Sequence, residues 1–390
     1  MDDDSTWGDR DDTAVHPGRS NKGYPSGNIS YRGGELTEIY IPVRETNEVV
    51  AVSLNSLPED PTDVLEILQA EQAPLGLWLD FAKAYLRQGK EEEFKIVLED
   101  GSSPEIEKYY ADSKYERIRI LAALAEHYMR LGRTAKDKAK KDKNFAEAQN
   151  FFSMATRIDS NEMIPYLGRG QLALARGNLD EAMKLFDMAI TKRDNRNETI
   201  MPLLGKASVL YHKKLYPGAL RIYEECLRTH PTCPAAVRLG IALCHFKLGK
   251  NPDKAKAAFR RVLQLEPRNV NAHVGLAISE MNTGQAHSAE RRAGIEEGLS
   301  LLGKAYALDS GNANVLNHLA NHFLVTGDYD KVPHLANTAF QHTDTPAMQA
   351  ESCYLLARAY HAQGKFGDAK RYYSTAVSLV EDYAPAHHGL

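Results

Sequence analysis

His318 and His322 stand one helical turn apart, the spacing at which two imidazoles can share a metal ion. No Glu lies between them and no third ligand is at hand, so hydrogen bonding along a helix surface is the expected role. Cys226, Cys233, Cys244 and Cys353 lack the two-residue spacing of zinc sites. They read as small buried hydrophobes in a reducing compartment, with no disulfide framework. The run GRGQLA (168–173) holds half of a dinucleotide fingerprint, but it lies within a helical pattern rather than after a strand, which predicts close helix packing. Arg133, Lys136, Lys138, Lys140, Lys141 and Lys143 gather positive charge around Asp137 and Asp142. Nucleic acid or an acidic partner would suit such a run; without interleaved aromatics, a solvated mobile loop is expected. Asn28-Ile-Ser and Asn197-Glu-Thr match glycan acceptors, which carry no weight in an intracellular chain. There is no Walker loop and no nucleophile elbow. The chain is therefore expected to be no enzyme, with no catalytic, cofactor or metal site.

The bulk properties exclude further classes. The 390 residues carry a net charge of -4, with 43% hydrophobic and 26% charged residues. That balance argues against a nucleic-acid-coating protein, and no direct nucleic-acid contact is expected. The longest apolar runs fall short of the roughly 20 residues a membrane span needs. The opening MDDDSTWGDRDD is acidic where a signal peptide is basic and then apolar, which places the chain inside the cell.

The elements that position the side chains repeat. From Trp78 onward a pattern recurs at the period of about 34 residues that marks a tetratricopeptide (TPR) helix pair. A small residue follows a large one on the first helix, a Gly marks the turn, and small, aromatic and small residues follow on the second. Small residues let two helices approach, and large ones fill the holes between neighbouring pairs. Trp78, Ala82, Tyr85, Gly89 and Phe94 mark the first pair; Tyr166, Gly170, Gly177, Ala182, Phe186 and Ala189 the third; Ala357, Tyr360, Gly364, Ala369, Tyr373 and Ala376 the eighth. Eight pairs are expected over 74–383, with insertions near 133–144 and 285–294 confined to turns. Residues 384–390 read as the start of a further first helix, and the uncapped end suggests a fragment of a longer protein. Ahead of the array, 1–36 reads as an acidic, Gly-rich disordered head. Residues 37–73 read as a β-hairpin, with the strand of Pro42 at an edge, followed by a short helix near Thr62. The expected fold is all-α: a right-handed TPR superhelix, or α-solenoid, with a small N-terminal β-hairpin.

In such an array the first helices line an inner groove. The residues expected there are Leu79, Lys83 and Leu86; Ala122, Glu126 and Met129; Leu167, Gln171 and Leu174; Leu204, Ser208 and Tyr211; and Leu239, Leu243 and Phe246. Val274, Ile278, Met281, Asn317, Asn321, Leu324, Tyr354, Arg358 and His361 continue the series. An apolar groove suits a long amphipathic or extended segment; a charged one suits a short acidic tail. Two functions follow, a constitutive scaffold and an adaptor for short peptide tails, the second needing a clamp such as Lys83 with Arg87.

The run IYIPVRETNEVVAVSLNSLP, then LWLDFAKAYLRQGKEEEF, LLGKAS (203–208), CPAAVRLG (233–240), VLNHLANHF (315–323) and AMQAESCYLLARAYH (347–361) resemble one family. It is the Ctr-nine-type TPR subunit of the RNA polymerase II-associated factor (Paf) complex, and the resemblance runs from about residue 37 to the end. It implies an N-terminal fragment of a nuclear scaffold for transcription elongation. That scaffold would hold the Paf-one subunit and the parafibromin-like subunit together, reach RNA polymerase II through the complex, and support co-transcriptional histone modification by other enzymes. The family offers no catalytic residues and places partner binding on the N-terminal repeats.

Overall fold

The computed structural model describes residues 29–32, 35–46, 48–135, 137–192, 200–284 and 288–390. The described residues form two compact bodies, divided between Glu116 and Arg117.

In the first body, β1 (Ile29–Arg32), β2 (Glu35–Pro42) and β3 (Val49–Ser53) form an antiparallel sheet in that order. The expected hairpin is β2–β3, in register Ile39↔Val52 and Ile41↔Val50. β1 corrects the sequence reading twice. It draws Ile29–Arg32 out of the stretch expected to be a disordered head, the rest of which, 1–28 and 33–34, lies outside the described residues. It also makes β2 the central strand rather than an edge. Pro42 is tolerated because β1 reaches only to Ile39, so the missing N–H falls beyond that ladder. Ile39 and Ile41 are fully buried. Next come α1 (Thr62–Ala70), α2 (Gly76–Arg87) and α3 (Glu91–Gly101). Tyr85 of α2 donates its hydroxyl to the Pro58 carbonyl at 3.2 Å. Trp78 Nε1 and Gln69 Nε2 both donate to the Asp100 carboxylate at 2.8 Å, tying α1, α2 and α3 together. A short helix absent from the periodicity, α4 (Pro104–Tyr109), is capped by Ser103, whose Oγ accepts from the Ile106 amide.

The second body stacks seven helix pairs among the described residues. They are α5 (Lys114–Thr134) with α6 (Lys138–Ile158), α7 (Met163–Ala175) with α8 (Leu179–Thr191), α9 (Ile200–His212) with α10 (Tyr216–Thr229), and α11 (Ala235–Leu248) with α12 (Pro252–Leu265). Then come α13 (Val270–Met281) with α14 (Ala289–Leu308), α15 (Ala313–Thr326) with α16 (Val332–Gln341), α17 (Pro346–Ala362) with α18 (Phe366–Leu379), and the short α19 (Ala384–His387). The all-α TPR-solenoid reading holds.

One contact recurs at five of the seams. The aromatic ring of a second helix lies against a glycine of the next first helix, Phe152 on Gly168, Phe186 on Gly205, Tyr223 on Gly240 and Phe259 on Gly275, and Tyr373 lies on Gly389 just past the end of α19. Any Cβ at those glycines would overlap the ring. Where the ring is missing the partner changes too. Ala336 of α16 takes the ring's place and Leu355 of α17 the glycine's, both buried in one cluster. Turns between paired helices need left-handed backbone, supplied by Gly177, Gly249, Gly284, Gly327 and Gly364. In the fourth repeat Lys214 takes it instead, with φ 62°.

Most of the described part of each insertion is helical rather than turn. Residues 138–144 form the first turns of α6, and 289–294 those of α14. Ala and Lys favour helix, and a cap starts each one. Asp137 accepts from the Ala139 amide at 3.2 Å, and Ser288 Oγ accepts from the Arg291 amide at 3.0 Å. Lys136 and residues 285–287 lie outside the described residues.

Candidate partner-binding face

The residues expected to carry chemistry sit where they do packing. Gly168 and Gly170, inside α7, face the rings of Phe152 and Phe186, which removes the dinucleotide reading. All four cysteines are free and buried, and burial pushes the Cys226 and Cys244 thiols up to about 11, leaving them poor nucleophiles. Among the described residues no group of three His, Cys, Asp or Glu side chains could hold a metal ion. Among them, too, no helix is long and apolar enough to cross a membrane. Asn28 and Asn197 lie outside the described residues.

The expected groove residues divide. In the first body Leu79 is buried in the core, Lys83 Nζ is held by Asp80 at 3.2 Å, and Leu86 is exposed. In the second body Met129 is fully buried against Ala125, Phe145 and Phe152. Val274, Asn317 and Leu324 are buried as well, Asn317 accepting from Ser352 Oγ at 2.8 Å. Leu79, Met129, Val274, Asn317 and Leu324 therefore leave the available surface. Their helices are approached by both neighbours, and the periodicity does not say which of two adjacent stripes the next repeat covers. Ser208 is half-buried and shares a 3.1 Å hydrogen bond with the Tyr223 hydroxyl, so it braces the two helices of its own repeat.

The remainder forms a half-buried apolar stripe. Leu167 and Leu174 rest on the core of the third repeat, with Gln171 half-buried between them in the sequence. Leu204 and Tyr211 rest on that of the fourth. Leu239, Leu243, Phe246, Ile278 and Met281 rest on one cluster shared by the fifth and sixth. Tyr211 meets Tyr216 edge-on with ring centroids 5.3 Å apart, and burial pushes its phenol up to about 12. Glu351 and His318, half-buried on first helices, share this setting, whereas Glu126 is exposed to solvent. Burial raises the Glu351 carboxyl. Burial lowers the His318 imidazole. Each shift favours the uncharged form, as expected in a poorly hydrated setting. Glu351 and His318 were not among the groove candidates: His318 falls one position from Asn317, and Glu351 lies one helical step ahead of Tyr354, where the chosen triplet begins.

Comparison with known proteins bears on the family. Residues 164–187, 236–269 and 350–383 each match the tetratricopeptide repeat. A protein named CTR9 homolog from Arabidopsis thaliana is 42% identical over 342 residues, 88% of this chain. The RNA polymerase-associated protein CTR9 of Caenorhabditis elegans is 33% identical over 366 residues, 91% of this chain. The chain is a TPR protein of the CTR9 type. It spans 30% and 31% of the lengths of those two CTR9 proteins. A TPR protein from Parabacteroides merdae superposes with a TM-score of 0.51 at 13% identity, over 73% of this chain and 98% of that one, a likeness of fold alone.

Proposed function

We propose that this chain is a non-catalytic scaffold that organises the Paf transcription elongation complex on RNA polymerase II in the nucleus. In this reading it binds the Paf-one and parafibromin-like subunits and so supports histone modification carried out by other enzymes during transcription. The observation that carries the proposal is the half-buried apolar stripe on the first helices of the third to sixth repeats. A face that disfavours charge suits a long apolar segment, which could bury well over the ~1,600 Å² of a standard interface. The relatives named RNA polymerase-associated protein supply the context. A clamp for acidic peptide tails draws no such support, because Lys83 is engaged by Asp80.

The test is co-expression of the full chain with the Paf-one subunit, followed by crosslinking mass spectrometry. Tyr211→Glu and Phe246→Glu each place a charge on the stripe. Crosslinks to α7, α9, α11 and α13 that vanish in both variants, with helicity retained, support the reading. Binding that ignores both substitutions refutes the face; no binding at all refutes the scaffold assignment.

A further inference from the structure

The first insertion does something that a plain TPR pair does not. It lengthens the helical start of α6, and the added turns reach an element far away in sequence. Lys141 Nζ meets the Asp344 carboxylate at 2.5 Å, across 203 residues, joining the second repeat to the loop that follows α16 at the end of the seventh. That hydrogen bond is the main reason the Asp344 carboxyl is held below its usual value. Beside the pair, Arg133 and Thr134 at the end of α5 face His342 and Thr343 across a cavity of about 600 Å³. The seam holds an open cavity lined by polar and apolar side chains, quite unlike the close-packed glycine–ring seams between successive repeats. A packed core resists opening; a cavity bridged by a half-exposed ion pair does not.

We propose that the insertion is a clasp: it fastens the second repeat to the seventh, fixes the pitch of the repeats between them, and turns their first-helix face from an open groove into a closed channel. The idea that this face receives a partner segment rests on the function proposed above; the clasp itself does not. The seam opens and recloses as a unit while the glycine–ring seams stay shut. A partner then reaches the face either by threading as an extended chain or by waiting for the clasp to release.

The experiment uses the full chain with spin labels at Lys140→Cys and Gln341→Cys, both exposed sites on opposite sides of the seam. The four native cysteines are buried and stay unlabelled. Pulsed electron resonance gives the distance distribution. Asp344→Lys and Lys141→Asp should each shift it outward, with the closed fraction falling about two- to five-fold, the range of a half-exposed ion pair. The exchanged pair Lys141→Asp with Asp344→Lys should restore the short distance, and 1 M salt should loosen the wild type but scarcely affect either single variant. An unchanged distribution in Asp344→Lys overturns the clasp. A second arm measures association with the Paf-one subunit: a faster rate in Asp344→Lys supports gating, and an unchanged rate with a lengthened distance overturns it. Failure of every variant, wild type included, to bind refutes the scaffold reading and leaves the distances to decide the clasp.

Discussion

Gly205 offers a sharp test of the seam between repeats. A Cβ there would stand 2.5 Å from Cε1 of Phe186, about 1 Å inside ordinary carbon contact. The ring is fully buried and cannot step aside, because Gly170 of its own repeat presses on it so closely that a Cβ there would stand 2.7 Å away. Gly205→Ala therefore sets two effects against each other. Helix propensity returns about 1 kcal/mol; overpacking costs about 1–3 kcal/mol. The net expectation is a loss of about 1 kcal/mol. Gly303→Ala is the matched control, a mid-helix glycine of α14 whose Cβ would meet nothing within 4 Å, and it should gain up to about 1 kcal/mol. Urea midpoints by circular dichroism measure both, with hydrogen exchange in α8 and α9 locating the change, since repeats open locally. A stabilised Gly205→Ala would refute the wedged ring. The swap tests the same idea. Phe186→Ala alone should cost about 3–5 kcal/mol, and adding Gly205→Leu should recover part of it, as Ala336 opposite Leu355 does naturally.

Three further outcomes follow. Lys214→Gly should stabilise the fourth repeat by about 1 kcal/mol, because lysine there bears a left-handed backbone that glycine adopts freely, and the urea midpoint reads it. Asp137→Ala removes the cap of α6 and should cost about 0.5–2 kcal/mol, seen as faster amide exchange at 139–144 with α7 and α8 unaffected. Burial holds the Tyr211 phenol at about 12, above its unfolded value near 10, so the folded state keeps a proton that the unfolded state releases. That contribution is present below pH 10 and lost as pH rises toward 12; the denaturation midpoint should fall over that window, and less steeply in Tyr211→Phe.

The array was legible because its signals are local. A ring, a small residue and a turn glycine recur at fixed steps, and each obeys one helix's geometry. What escaped the sequence depends on partners elsewhere. Ile29–Arg32 looked too polar to order, and only pairing with β2 makes it a strand. The lysine-rich insertion showed its charge, while its helicity turned on a single cap at Asp137. The apolar stripe was readable to within one position. Met129 and Leu79 sat on the expected face yet are covered, and the Ser208 hydroxyl is claimed by a ring from the other helix of its pair. The contact of Lys141 with Asp344 is set by the accumulated rotation of five repeats, which no local pattern encodes.

The glycine–ring seams also say where this chain could be cut and rejoined. Each ring and the glycine that admits it belong to different repeats, so the fitted pair is lost when whole repeats are exchanged. Joining α12 directly to α15 would bring the Phe259 ring toward a helix that offers His318 where α13 offers Gly275. The interchangeable module is instead a second helix with the first helix that follows it, bounded by the left-handed turns. Chimeras spliced at Gly249 or Gly327 keep every ring with its own glycine, whereas a splice at Gly177 parts Phe186 from Gly170 and grafts made between α10 and α11 separate Tyr223 from Gly240.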